Sequence, residues 1–351
     1  MGIYIKGIGV ISAQKTFDAG VFSDDFLSFS GNRLKCVEPD YSNFIDAKQI
    51  RRMSRVIKMG VTCSSTALKE AGIEIPEAVI VGTTFGCLED TYSFLAKLVR
   101  NKEEMLNPTP FIHSTHNSIA SQIALMTKCR GYNSTYSHRN ISFESALTDA
   151  VLLLNENAVE NVLVGGIDEL TDTSFTILNR LGLFKQESGL TSENLYSLNS
   201  KGSVAGEGSA FFSLVNKIDN ACYAQVIAVQ TLSMVRVEDV LLKAKAMLSA
   251  NGITTPDLLI AGFNGDKTDD EIYDFFVKKL QMENKLLKFK HLCGEYPTSS
   301  AFAFWMAATI LQKAEVPAIF GYKQTGNTVR NILIYNQAKG LHHSLILLSA
   351  C

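Results

Sequence analysis

The chain has no CxxC pair, no excess of charge of either sign and no uninterrupted apolar run of membrane-spanning length. Its seven cysteines (36, 63, 87, 129, 222, 293 and 351) are scattered, which argues for reduced thiols rather than a disulfide framework. The formal net charge of −2 gives no global pull toward nucleic acid or an anionic membrane. The opening MGIYIKGIGVISAQ lacks the apolar core of a signal peptide and reads as a first strand. Low-complexity segments are missing too. These absences lead us to expect a soluble, cytoplasmic protein.

What is present is apolar material. Hydrophobic residues make up 46% of 351 residues and charged ones 19%, enough for a substantial core in two domains or in one large domain of two halves. The most informative stretch is 133–166, NSTYSHRNISFESALTDAVLLLNENAVENVLVGG. Its β-branched and aromatic start predicts a strand over 133–137, and a sharp corner follows at His138, Arg139, Asn140 and Ile141. Ser142 reads as an N-cap, 143–155 carries apolar residues at helical spacing, and 161–164 is a buried-type strand. Strand, sharp turn and buried helix form an elbow of the kind on which enzymes mount a nucleophile. Here the turn offers Asn140, whose amide can neither attack nor ionise usefully.

Elsewhere the pattern predicts strands over 3–11, 78–83, 209–215, 223–230, 258–261, 332–335 and 345–348. Helices are expected over 51–70 (closed by Gly72), 88–101, 119–126, 174–181, 237–249, 269–280 and 299–314. Residues 14–45 read as irregular, 107–117 as an extended connector and 186–203 as a polar excursion. The turn at Asp219 and Asn220 divides the chain into halves, 1–218 and 219–351. Strands alternating with helices imply mainly parallel sheets covered by helices.

Taken in order, these segments resemble the β-ketoacyl-acyl carrier protein synthases of the thiolase fold. The resemblance rests on KQIRRMSRVIKMGVTCSSTALKEAGI, NPTPFIHSTHNSIASQIALMTKCRG, NVLVGGIDE, NSKGSVAGEGSAFFSLV and KHLCGEYPTSSAFAFWMAATIL, spread over nearly the whole chain. It implies an α/β thiolase-like fold, two similar halves in a layered αβαβα arrangement. The family's chemistry uses a cysteine thiolate to take the acyl chain and two histidines to polarise the extender. Counting back from Gly165 and Gly166 puts the nucleophile position at Asn140. The first histidine position falls at Phe263 or Asn264 and the second at Glu295, while Lys290 matches the family's lysine. The glycine-rich gate near the end is replaced by NQAKGLHHSLI, with only Gly340 in register, and Ser203 stands where the family has phenylalanine.

The resemblance therefore implies a subunit of the chain length factor type, one that lacks the cysteine and pairs with an active ketosynthase. The systems it implies are type II polyketide, aryl polyene or fatty acid synthesis. The expected partners are that ketosynthase, or a second copy of the chain, and an acyl carrier protein; no cofactor is expected. Two other readings stay open: an atypical acyltransferase or malonyl decarboxylase, and a homodimeric carrier-protein-binding protein. Pocket or tunnel residues would be Phe111, Ser142, Ser203 and Gly340, with Phe111 reaching a neighbour's pocket. Arg51, Arg52 and Arg55 either form a solvated helix face or dock the acidic carrier protein. Asn140 is either a turn residue or an amide for a ligand carbonyl, and Ser142 either a cap or an unorthodox nucleophile beside His138. Lys290 and Glu295 could pair in the interior or at the surface. His113 with His116, and His342 with His343, lack a completing carboxylate or cysteine, so no metal site is expected.

Overall fold

A computed structural model describes residues 2–19, 26–317, 320 and 328–351. Residues 20–25, within the stretch read as irregular, lie outside the described residues. The strands are β1 (Ile3–Ile11), β2 (Ala78–Gly82), β3 (Tyr132–Tyr136), β4 (Asn161–Asp168), β5 (Gly208–Val215), β6 (Ala224–Ser233), β7 (Leu258–Ala261), β8 (Leu286–Lys288), β9 (Asn331–Ala338) and β10 (His342–Ser349). The helices are α1 (Thr16–Ala19), α2 (Ala47–Ile50), α3 (Arg55–Ala71), α4 (Leu88–Arg100), α5 (Pro108–His113), α6 (Ser118–Thr127), α7 (Ser142–Asn155), α8 (Asp172–Arg180), α9 (Val237–Ala250), α10 (Lys267–Leu280), α11 (Lys290–Cys293) and α12 (Ser300–Lys313).

The strands pair in the order β3-β2-β4-β5-β1-β6-β10-β9-β7-β8. Read inward from each edge, the same sequence of strands occurs twice: β3-β2-β4-β5-β1 meets β8-β7-β9-β10-β6. Within the sheet the two halves are joined by the short pairing of Ile3, Tyr4 and Ile5 with Val226, Gln225 and Ala224. The period-two alternation of strand residues builds the layers. Ala78, Ile80, Val164, Phe212, Ile260, Ile334 and Ile346 face a shared core with α7 and α12. Val79, Val81, Leu163 and Phe211 face the other way, onto α3 and α6. Leu259, Ala261, Leu333 and Tyr335 pack on α9 and α10. Helices, half-sheet, helices, half-sheet, helices: the layered αβαβα arrangement follows from which face each side chain takes. At the centre α12 is buried from Ser300 to Leu311, as a helix apolar on nearly all sides must be.

Four expectations need correction. Parallel pairing is confined to β3-β2-β4 and β8-β7-β9, and the remaining pairs are antiparallel. The connector 107–117 contains a helix, α5, because Asn107 caps it by accepting from Thr109 N and Pro108 stands at its first turn. The helix forecast over 51–70 starts at Arg55; Ser54 before it is extended (φ −65°, ψ 165°), so Arg51 and Arg52 lie in a turn. Ser142 is already helical (φ −63°, ψ −43°) and is not the cap of α7; a 3-10 turn over Arg139–Ile141 runs straight into the helix. No helix among the described residues is long and apolar enough to cross a membrane.

Candidate functional site

Hydrogen bonds of Ser142 build the elbow. Ser142 Oγ accepts from His138 N at 2.9 Å and donates to Arg139 O at 2.6 Å, pinning the 3-10 turn. Thr84 at the end of β2 adds a contact to the same hydroxyl at 3.0 Å. That close approach needs Gly82, where a Cβ would lie 2.5 Å from the backbone of Ser142. Arg139 takes a left-handed φ of 51°, a conformation uncommon outside glycine and asparagine. The elbow thus presents Asn140 beside a cavity.

That cavity has a volume of about 320 Å³. Asn140, Ser203, Asn264 and Glu295, assigned from distant parts of the sequence, all line it. Thr84, Asp168, Glu169, Asp269, Gln337 and Lys339 add polar groups, and Leu178, Leu183, Phe184 and Tyr296 make an apolar side. No cysteine or histidine lines it among the described residues. Of the paired candidates Phe263 and Asn264, only Asn264 reaches this cavity. Phe263 is buried, stacked on Tyr273 at 4.9 Å with the Lys288 ammonium 4.0 Å from its ring centre.

Two loops cross backbone to backbone to place Glu295. Gly206 N donates to Glu295 O at 3.0 Å, and Glu295 N donates to Val204 O at 2.7 Å. A Cβ on Gly206 would lie 2.1 Å from Cys293 O, and Gly294 takes a φ of 77°, so both positions require glycine. The Gly-acidic-Gly motif is an instrument of that crossing. Its acid, Glu207, points away from the cavity and is buried, held by Arg55 at 2.6 and 2.7 Å and by the backbone N–H groups of Cys36 and Leu170.

At Glu295 a chain of paired groups begins. Lys290, fully buried, sits 2.7 Å from Glu295 Oε2, so the interior ion pair is the one formed. Asn264 donates one amide hydrogen to the same oxygen at 2.8 Å and another to Asp269 Oδ2 at 3.1 Å. Its own carbonyl accepts from Asp266 N at 2.9 Å. Asp269 Oδ2 also holds the Lys339 ammonium at 3.0 Å. The network runs Lys290–Glu295–Asn264–Asp269–Lys339, from the interior to the surface.

Lys339 and Gly340 form the tip of the β9–β10 hairpin, with φ values of 53° and 63°, as a type I′ turn demands. Gly340 itself does not line the cavity; it donates to Gln337 Oε1 at 2.8 Å. Where the resemblance leads one to look for a glycine-rich gate, there is a tight hairpin fastened by Lys339 to Asp269. Sequence reasoning missed Lys339, Gln337 and Asp269. The Lys-Gly pair between two apolar runs was the signal for the turn.

Two carboxyls on the cavity wall have displaced pKa values. Burial pushes Asp168 up to about 6, although Thr83, Thr84, Phe85 and Thr298 all donate to it. Burial likewise pushes Glu169 up to about 7.

Other predicted site residues lie elsewhere. Phe111 is 57% exposed, packs on Phe94 at a ring separation of 5.1 Å and does not line the cavity of its own chain. Arg51 and Arg52 are exposed. Arg55 is not a free cation on a solvated face: besides Glu207 it bonds Glu38 at 2.6 Å.

The profile of the β-ketoacyl synthase N-terminal domain matches residues 31–219. No curated protein matches the chain. Among solved structures, the ishigamide ketosynthase/chain length factor is similar at a TM-score of 0.80 and 16% identity, covering 100% of this chain and 99% of that one. AntDE, the ketosynthase of a type II polyketide synthase, solved with its acyl-carrier protein AntF and bound to the hexaketide, gives 0.78 and 14%, with 100% and 99% covered. A β-ketoacyl synthase from Burkholderia phymatum gives 0.79 and 13%, again covering 100% and 99%.

Proposed function

The chain belongs to the β-ketoacyl synthase family, and we propose that it is a non-catalytic member, a ketosynthase-like subunit of the chain length factor type. In this reading it divides at residues 218/219 into two thiolase-like halves. It pairs with an active β-ketoacyl synthase in a type II polyketide, aryl polyene or fatty acid system and meets the acyl carrier protein there. One observation carries the reading. The cavity beside the elbow brings Asn140, Asn264 and Glu295 together with no cysteine or histidine on its wall among the described residues, and the amide hydrogens of Asn264 are already given to carboxylates. Covalent acyl transfer needs an activated nucleophile, and decarboxylation needs a group that stabilises developing negative charge. A carboxylate at 295 opposes the second requirement as directly as Asn140 fails the first. The same argument disfavours a malonyl decarboxylase.

The solved ketosynthase/chain length factor with this fold supports a paired assembly. So do the edge strand β3, which among the described residues pairs with β2 alone, and the exposed apolar side chains of Leu95, Val99, Phe111 and Ile112. The test is co-expression with intact ketosynthases from the same source, followed by mass measurement of the purified complex. A one-to-one complex that condenses acyl and malonyl groups, while this chain alone does not, is the expected result. Condensation by the chain alone overturns the reading.

A further inference from the structure

A second cavity, of about 530 Å³, lies beside the edge strand β8, away from the elbow. Leu27, Leu286, Leu287 and Leu292 give it an apolar wall, and the exposed Glu193 and Glu283 stand where it meets solvent. Tyr196, Lys288 and His291 complete the polar side. Half-buried Lys288 is the unusual group. Its ammonium lies 4.0 Å from the centre of the Phe263 ring and 4.5 Å from that of Tyr196, with no hydrogen bond or ion pair among the described residues. Burial lowers its pKa from the ordinary lysine value; Asp270 and Asp274 of α10 act the other way, and burial outweighs them. More of this side chain is therefore free amine at pH 8 than of a solvated lysine. From α11, His291 faces it as a neutral imidazole, pushed down to about 4 by burial and by Lys288 itself. Tyr196 Oη lies 3.1 Å from His291 Nδ1, and burial holds its phenol well above the usual value. Lys267 and Glu271 of α10 are exposed on the wall of a smaller cavity that Lys288 also lines.

We propose that Lys288 is a nucleophile that takes the acyl group of a thioester, with the acyl chain lying along the leucine wall of the adjoining cavity. Nζ attacks the thioester carbonyl, the N–C bond forms and the C–S bond breaks. The amine proton leaves with the sulfur as free thiol, and the lysine becomes an amide. A thioester is the class that fits, because thiols ionise near about 8.5 and a thiolate departs without help from an acid. Neither His291 nor Tyr196 is an acid at pH 8, which disfavours the alkoxide and amine leaving groups of esters and amides. An amine desolvated against apolar groups is a recognised form of activated lysine. The cavity volume falls within the roughly 300–1,000 Å³ of small-molecule sites, enough for a medium-length chain. None of these residues belongs to the site beside the elbow, so the inference stands independently of whether that site condenses acyl groups.

The test treats the full chain at pH 8 with the octanoyl or the acetyl thioester of N-acetylcysteamine, then digests it and follows each lysine by mass spectrometry over time. Lys288 is expected to gain the octanoyl group at least roughly tenfold faster than the exposed Lys243 and Lys245. Its lead should be larger with the octanoyl than with the acetyl donor, because only the longer chain reaches the leucine wall, and it should vanish in the urea-unfolded chain. Lys288→Arg keeps a cation over the two rings and should abolish the fast adduct. Acylation of Lys288 no faster than that of the exposed lysines overturns the inference. So does a lead that is equal for both donors or that persists in urea, and so does a fast adduct that survives Lys288→Arg. No ketosynthase enters this assay, so its result is separate from that of the co-expression experiment.

Discussion

Asn264 and Glu295, 31 positions apart in the chain, are joined by a 2.8 Å hydrogen bond beside the elbow. The bond makes the pair a structural unit, since Lys290 lies against the same Glu295 oxygen at 2.7 Å and Asp269 takes the other Asn264 hydrogen. A cysteine restored at 140 would therefore meet an amide and a carboxylate already bonded to one another. We expect Asn140→Cys to be labelled by a thiol reagent without gaining condensation. Turnover with acyl- and malonyl-carrier protein by that variant would show that polarising groups exist elsewhere in the cavity.

The Lys290–Glu295 pair should be costly to break on one side only. Lys290 is 1% exposed, and Glu295→Ala would leave its ammonium buried without a counter-charge. We expect Glu295→Ala to cost about 3 to 5 kcal/mol. Lys290→Met combined with Glu295→Ala should cost well under the sum of the single changes, because neither charge is then left alone. Chemical denaturation of the two single variants and the double variant measures this coupling. Additive losses would mean that each residue stabilises the fold through other contacts.

Asp168 and Glu169 give the protein a pH dependence of defined sign. Burial raises Asp168 from 3.8 to about 6 and Glu169 from 4.5 to about 7. A raised folded pKa means that the folded chain holds protons which the unfolded chain releases. Stability from this source is complete below the unfolded values and is lost as pH rises through the folded ones. His291, which burial pushes down to about 4, works in the opposite direction below neutrality. Comparison of Glu169→Gln with wild type isolates one group. The variant should gain on the order of 3 kcal/mol at pH 8 and little at pH 4.5. An identical difference at both values would remove Glu169 from the account.

Much of this was legible in the sequence, for physical reasons. Strand alternation and helical spacing report which face is buried, so the elbow, β4, α7 and the strands β6, β7, β9 and β10 could be read directly, while the three-residue β8 is too short to leave a pattern. The resemblance to the ketosynthases then assigned Asn140, Phe263 or Asn264, and Glu295 to one site, and Asn140, Asn264 and Glu295 line the same cavity. Pairings between distant side chains leave no local pattern, and here the reading went astray. Arg51, Arg52 and Arg55 look alike in sequence, yet Arg55 is bound to Glu207 across 152 positions. Lys339 reads as a turn residue, and its bond to Asp269 spans 70 positions.

That difference among the arginines sharpens the docking test. Charge reversal at Arg55 would break an ion pair with a buried carboxylate, so weakened carrier-protein binding by Arg55→Glu would report on folding. Arg51→Glu with Arg52→Glu changes exposed turn residues, and its thermal midpoint should stay near that of wild type. If these arginines dock the acidic carrier protein, the double variant weakens binding and added salt weakens the wild-type contact. Unchanged affinity would return Arg51 and Arg52 to the solvated-face reading.

Phe111 is exposed in α5 and absent from the cavity of its own chain, so any effect on product length must be exerted on a neighbour. Its ring is held against Phe94 rather than in the core, and at 57% exposure its loss should cost the isolated chain well under the 3 to 5 kcal/mol (about the usual range) of a core phenylalanine. This makes Phe111→Ala a clean variant: the fold is spared and only the volume presented to the partner changes. If the chain pairs with a ketosynthase as proposed, Phe111→Ala co-expressed with that subunit should keep the complex and lengthen the acyl products, because space freed at the end of a neighbouring pocket would admit a longer chain. An intact complex with unchanged products would leave Phe111 as one apolar contact among several. Loss of the complex would instead make the ring an anchor of the interface, the role that buried aromatics commonly take at protein contacts.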